Sequence, residues 1–134
     1  MRQGMALSPS ELLDWIAKHT ARKETCIECG AGLGELAGYF QAQFKQVIAT
    51  DISPPMQKSP YGVTVVKAAA EDLPVTDASI DLLISMQALH HFDRAAHLAD
   101  AARSLRPGAV FAALCWGDII LPKPVLLAFK PTFA

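Results

Sequence analysis

Three glycines at alternate positions follow an acid in the run Glu28-Cys29-Gly30-Ala31-Gly32-Leu33-Gly34. The run leaves a short apolar segment and enters a helical one. Gly30 permits a sharp turn there. Gly32 lets backbone approach a ligand with no Cβ in the way, and Gly34 lets a helix pack close to a strand. The start of the helix then offers N–H groups without intrahelical partners. A plain glycine-rich turn is the alternative reading. Asp51 closes the second apolar segment, 17 residues on from Gly34. An α/β fold places an acid at that point to hold ribose hydroxyls, although a loop cap also sits there.

The spacing narrows the ligand. A dinucleotide fingerprint, G-x-G-x-x-G, needs glycine at position 35, and this chain has Glu35. An acid in the first helical turn repels a pyrophosphate, which disfavours a nicotinamide oxidoreductase. A ribose-bearing ligand without phosphate fits better, and S-adenosylmethionine is one. His90 and His91 follow the fourth apolar segment. They are candidate general bases beside a reacting methyl, or else a helix cap and a surface that packs on Phe92. No carboxylate or cysteine at ligand spacing completes a metal site with them. Cys26 and Cys29 form C-x-x-C inside one predicted strand, where positions i and i+3 face opposite sides. That reads as two inert buried thiols rather than a disulfide or metal pair. Cys115 reads as a third core thiol. Trp116 is either substrate-facing or a core or interface aromatic.

These residues need elements to position them. Ser8-Pro9-Ser10-Glu11 is a capping box opening a helix to about His19. Strands are expected at 25–29, 46–50, 63–67, 80–85 and 109–115. Helix is expected from Leu33 to Phe44, with Leu36, Ala37, Phe40 and Phe44 on one face. A further helix, capped by Asp93, should bury Ala95, Leu98, Ala99, Ala102 and Leu105 and stop at Pro107-Gly108. The segment 52–62 reads as loop. The strands are continuous apolar runs rather than alternating ones, which marks a parallel sheet buried on both faces. Alternation with right-handed crossovers gives a doubly wound α/β layer.

Composition bounds the rest. In 134 residues, 51% are hydrophobic and 19% charged, which excludes a disordered chain and leaves room for one domain. Twelve basic and thirteen acidic residues give a net charge of -1, so no electrostatic footprint for nucleic acid is present. The longest charge-free apolar stretch, Pro107 to Gly117, is too short to span a bilayer. The start, MRQGMALSPSE, has no apolar signal-peptide region, so a cytoplasmic location is expected.

Five segments in order resemble the class I S-adenosylmethionine-dependent methyltransferases, specifically the type-11 small-molecule group. They are the glycine run, Asp51-Ile52-Ser53, Ala70-Glu71-Asp72-Leu73-Pro74, Asp81–Ser85 continuing to Ala88-Leu89-His90-His91-Phe92, and Leu105-Arg106-Pro107-Gly108. The match covers roughly residues 8 to 117. It implies a single cofactor-binding domain over 1–134, a sheet order of 3-2-1-4-5, and a methyltransferase acting on a small molecule. Implied roles follow residue by residue. Glu28 anchors the methionine ammonium, and Gly30, Ala31 and Gly32 line the methionine arm. Asp51 takes the ribose hydroxyls and Ile52 packs on adenine. Ala70, by its backbone N–H, and Glu71 border the adenine edge. Ser85 and Met86 sit beside the amino-acid end and the methyl.

The chain also departs from the family. Ala69 stands where an acid or polar residue is usual, and Ala109 where a second glycine is usual. The usual N-terminal lid is reduced to Ser8-Pro9, and the segment beyond Trp116 is too short for the family's last helix and strand pair. A shortened binding module without turnover is therefore the alternative function. The apolar fifth strand and tail, left as an open edge, predict a symmetric homodimer.

Overall fold

The computed structural model describes residues 9–115. Ser8, Trp116 and the tail lie outside the described residues, and with them the Ser8 cap, the Trp116 alternatives and the tail's share in a dimer. Helix α1 (Pro9–Lys18) begins with proline in the first position and carries Glu11 in its first turn and Lys18 in its last. Both charges complement the helix dipole. Then come β1 (Thr25–Cys29), α2 (Glu35–Phe40), β2 (Gln46–Asp51), β3 (Val65–Lys67) and β4 (Ile80–Met86). A single 3-10 turn (Leu89–His91), α3 (Arg94–Ser104) and β5 (Leu105–Leu114) complete the order.

All five strands run parallel in the order β3-β2-β1-β4-β5. The central strands β1 and β4 are buried almost throughout, as their mainly apolar runs require. One face packs Leu13, Ile16 and Ala17 of α1 and Leu36 and Phe40 of α2 against Cys26, Leu82 and Ile84. The other packs Ala101 of α3 with Ala70 and Leu73 against Ile27, Cys29 and Leu83. Helices on both faces make this the doubly wound layer expected. Cys26 and Cys29 fall on opposite faces, both as thiols.

Several boundaries differ from the sequence reading. Helix α2 ends at Phe40, and a tightened turn carries the chain to Phe44, whose ring still meets Phe40 edge-on at 5.8 Å. Strand β3 begins at Val65 rather than Val63. Pro107-Gly108 does not end α3. The helix stops at Ser104, and β5 starts at once with an extended Leu105. Ile80 pairs with Leu105 and Leu82 with Val110, so six residues of β5 oppose three of β4. Pro107 and Gly108 (φ +81) are the bulge. The edge strand therefore carries an arginine and a proline near its start, contrary to the wholly apolar edge expected. Cys115 is exposed, not a core thiol, and its thiol donates to Gln87 Oε1 at 3.6 Å.

The largest correction concerns α3. Its buried residues are His97, Ala101 and Ser104. Ala95, Ala99 and Ala102 are exposed, and Leu98 is 51% exposed. The inward face is polar because its partners are backbone groups of the loop before β4. Leu73 N–H donates to Asp100 Oδ2 at 2.7 Å, and Arg103 donates to the carbonyls of Val75 and Leu73 at 2.8 and 3.2 Å. Asp93 caps the helix as expected, accepting from Ala96 N–H.

The bulge in β5 swings Arg106 onto Asp81, a buried acid at the amino end of β4. Arg106 Nε donates to Asp81 Oδ1 at 3.0 Å, Thr25 N–H donates to Oδ2 at 3.0 Å, and exposed Arg22 stands 4.0 Å away. Arg106→Leu leaves a buried carboxylate short of its main partner. It should cost about 3 kcal/mol in urea denaturation. Lys45→Ala, which breaks an exposed pair with Glu24, should cost under about 1 kcal/mol. Equal effects would show that Asp81 is solvated after all.

Candidate functional site

The parallel register brings the carboxyl ends of β1, β2 and β4 to one rim. Cys29 pairs with Thr50, so Gly30 and Asp51 leave the sheet side by side. Ala31 N–H donates to Thr50 O at 2.8 Å, folding the glycine turn back over β2. Gly30 has φ +65, and a Cβ there would lie 2.6 Å from Ala88 Cβ and 3.2 Å from Phe92 Cζ. Only glycine fits. Gly32, at φ +56, has nothing within 4 Å of where its Cβ would be. That side of the turn is open to a ligand.

Two cavities meet at Gly30. One of about 280 Å³ is lined by Glu28, Ala31, Gly32, Glu35 and Met86. The other, of about 250 Å³, is lined by Asp51, Ile52, Ala70, Glu71, His91 and Phe92. A third space of about 550 Å³ adjoins the first through Glu35, Leu36, Tyr61 and Met86, and adds Leu13 and Tyr39. The sequence-derived residues thus sort into two groups on either side of Gly30. His90 and Ser85 line none of these cavities, and His91 lies on the Asp51 side, away from Met86. His90 and His91 stack on each other with centroids 4.0 Å apart. Ser85 is buried and neighbours Met86 along β4, so its side chain leaves the opposite face of the strand. Its Oγ has no hydrogen-bond partner among the described residues.

The two acids are held differently. Glu28 is buried, and its Oε1 accepts from Ala37 N–H at 2.9 Å, using one of the open donors in the first turn of α2. Burial raises its pKa to about 8, against the lowering effect of that bond, with Glu35 and Asp51 adding further like-charge pressure upward. Asp51 is half-exposed. Its Oδ2 accepts from Gly32 N–H at 3.0 Å and its Oδ1 from Ser53 N–H at 2.9 Å. It therefore fastens the glycine turn as well as facing the cavity. Ionised carboxylate oxygens keep further lone pairs for a ligand. Burial pushes the Cys29 thiol up to about 12 and raises Cys26 further still, which disfavours the reactive thiolate at both.

Several lining residues were not foreseen. Phe92 and Ala88 follow β4 and form the floor under Gly30. Tyr61 arrives from the proline-rich loop, whose backbone lies against Gly38 of α2 so closely that a Cβ there would be 2.9 Å from Tyr61 O. A glycine inside a predicted helix was the available signal. Behind the Asp51 cavity, Glu71 Oε2 accepts from Asp93 N–H at 2.8 Å, tying the wall to the start of α3.

Comparison with known proteins agrees with this geometry. The methyltransferase-domain family matches residues 27–113. An uncharacterized methyltransferase of Mycobacterium tuberculosis is 32% identical over 111 residues, covering 79% of this chain and 44% of that protein. A malonyl-[acyl-carrier protein] O-methyltransferase of Dechloromonas aromatica is 35% identical over 94 residues, covering 68% of this chain and 36% of that protein. The chain thus spans less than half the length of these relatives. A solved structure of a candidate type II methyltransferase from Anaeromyxobacter dehalogenans superposes with TM-score 0.70 and 29% identity, over 92% of this chain and 54% of that one. The geranyl diphosphate C-methyltransferase of Streptomyces coelicolor, solved with S-adenosyl-L-homocysteine, shares the fold at TM-score 0.66 and 14% identity, over 79% of this chain and 45% of that one. With the five-strand order and the rim of glycines and acids in hand, the chain belongs to the methyltransferase-domain family and has the Rossmann-like fold of class I S-adenosylmethionine-dependent methyltransferases.

Proposed function

We propose that this chain binds S-adenosylmethionine across the two cavities and acts as a methyltransferase on a small molecule. The observation that carries the reading is a buried acid and a half-exposed acid on either side of an open glycine turn. The ligand has an amino-acid end that carries an ammonium, a ribose and no phosphate. Glu28 faces the ammonium, Asp51 the ribose hydroxyls, and exposed Ile52 the purine face. Ala70, through its N–H, and Glu71 border the purine edge. Gly30, Ala31 and Gly32 pass the methionine arm. Glu35, which lines the Glu28 cavity, is adverse to a pyrophosphate and supports this ligand over a dinucleotide.

The bound cofactor supplies an already activated sulfonium methyl. The chain's own task is alignment and exclusion of water. Met86 lies where the Glu28 cavity opens into the larger apolar space. Leu13, Leu36, Tyr39 and Tyr61 give that space the character of a site for an apolar acceptor. A general base is needed only if the acceptor carries a proton near neutral pH. His91 stands on the nucleoside side of Gly30, so we assign it to that half of the site. Pairing of two copies along β5, the edge strand among the described residues, and a cytoplasmic location belong to the same reading. Light scattering checks the pairing: a monomer at tens of micromolar removes it.

Calorimetry with S-adenosylmethionine, S-adenosylhomocysteine and NAD tests the ligand. Binding of the first two and not of NAD is expected, and tight NAD binding with no response to S-adenosylhomocysteine overturns the reading. Asp51→Ala should weaken S-adenosylhomocysteine roughly tenfold or more, since charge-assisted bonds are worth about 1.5–3 kcal/mol each. The melting temperature should fall modestly as well, because the bonds from Gly32 and Ser53 N–H are lost with the carboxylate. Unchanged affinity would reduce Asp51 to a turn fastener.

Glu28 makes a second prediction. Its folded pKa, about 8, lies above the ordinary 4.5, so between these values the folded chain holds a proton that the unfolded chain releases. Stability contributed this way is present below the ordinary value and is lost as pH rises to about 8. Glu28→Gln should therefore melt progressively higher than the parent between about pH 5 and pH 8, with no further gain above. It should also bind S-adenosylhomocysteine more weakly. A pH-independent difference in melting would mean that Glu28 is solvated.

A further inference from the structure

His97 is fully buried in α3, and no role in the site was read for it from the sequence. Its Nδ1 lies 2.7 Å from Ala70 O. A carbonyl can only accept, so Nδ1 carries a proton and donates it. Nε2 is buried and has no partner among the described residues. An apolar side chain would avoid that orphaned nitrogen but would leave Ala70 O without its donor. The ring is fixed by Phe92, with centroids 4.8 Å apart, and by Phe111 at 5.8 Å.

Both residues His97 touches towards the rim, Ala70 and Phe92, line the Asp51 cavity, while His97 itself does not. Phe92 in turn lies under Gly30. The flanking links hold other points of the same wall: Glu71 by Asp93 N–H, and Leu73 N–H by Asp100. The bond to Ala70 O holds the Ala70–Glu71 peptide, which joins two residues that line the cavity and directly follows the Ala70 N–H assigned to the purine edge. We propose that His97 is a positioning residue for the purine end of the cofactor, acting through the Ala70 carbonyl and the Phe92 ring. This rests on the cofactor reading above.

The test compares His97→Leu, which removes the donor, with His97→Asn, whose amide nitrogen takes the place of Nδ1. Each is titrated with S-adenosylhomocysteine and with S-inosylhomocysteine, whose purine edge has its donor and acceptor exchanged. The parent should prefer the adenine ligand. His97→Leu should compress that preference about tenfold, the size of one well-placed hydrogen bond, while His97→Asn keeps most of it. Equal weakening of both ligands, at unchanged preference, would mean a merely structural histidine and overturn the proposal. If His97→Leu does not fold, His97→Met, which also lacks the donor on a more adaptable side chain, takes its place: a preference compressed relative to His97→Asn supports the role, and a preference equal to it overturns the proposal. Long-range proton–nitrogen NMR of the parent gives an independent readout, with protonation at Nδ1 expected and at Nε2 contradicting. A parent that binds no S-adenosylhomocysteine fails the cofactor reading before any variant is made, and takes this proposal with it.

Discussion

The site depends on one close approach. At Gly30 the end of β1 comes so near Ala88 and Phe92 that no Cβ can be accommodated. That contact brings the segment after β4 under the glycine turn and makes two cavities meet at a single residue. Its precondition is the register of β1 with β2 and β4, which ends the three strands at one level. A one-residue slip would turn every side chain of a strand to the other face. Glu28 would leave α2, and Cys29 would take its place. The buried apolar residues on both faces of β1 make that slip costly.

The same groups hold the fold and face the ligand space. Asp51 fastens Gly32 and Ser53 through their N–H groups while lining a cavity, and Glu28 binds Ala37 N–H at the start of α2. Removing either acid therefore acts on the turn as well as on any ligand. For this reason affinity and melting have to be read together. Thr50 adds a third tie, donating from Oγ1 to Glu28 O at 3.1 Å beneath the turn.

The central strands were legible because a sheet covered on both faces requires mainly apolar runs, and 25–29 and 80–85 are such runs, each interrupted by a single acid, Glu28 and Asp81. The glycine run and Asp51 were legible because strand ends in this architecture converge. The inward face of α3 was not. Hydrophobic periodicity favours Ala95, Leu98 and Ala102, whereas the face that packs carries His97, Asp100 and Arg103, whose partners are backbone groups of a loop. No pattern in the helix itself announces partners some 27 residues earlier in the chain. The start of β5 was obscured in a related way. Pro107-Gly108 reads as a helix stop, yet Leu105 is already extended and the pair forms a bulge that sends Arg106 to Asp81.

The two ends of the sheet treat buried acid differently. At the amino end, Asp81 has Arg106, Arg22 and the Thr25 N–H, so its charge is matched within the chain. At the carboxyl end, Glu28 has the Ala37 N–H and no cation within ion-pair distance among the described residues. Burial raises its pKa to about 8, with the nearby acids Glu35 and Asp51 adding to the rise. A buried acid costs stability unless a positive group meets it, and matching it inside the chain would be the stabilising solution, as it is at Asp81. Leaving it unmatched beside an open glycine turn makes the site complementary to an ammonium group brought by a ligand. With the ammonium placed on Glu28 as proposed, ionisation of Glu28 becomes part of binding, and affinity for such a ligand should rise with pH through the range in which the empty site holds its proton.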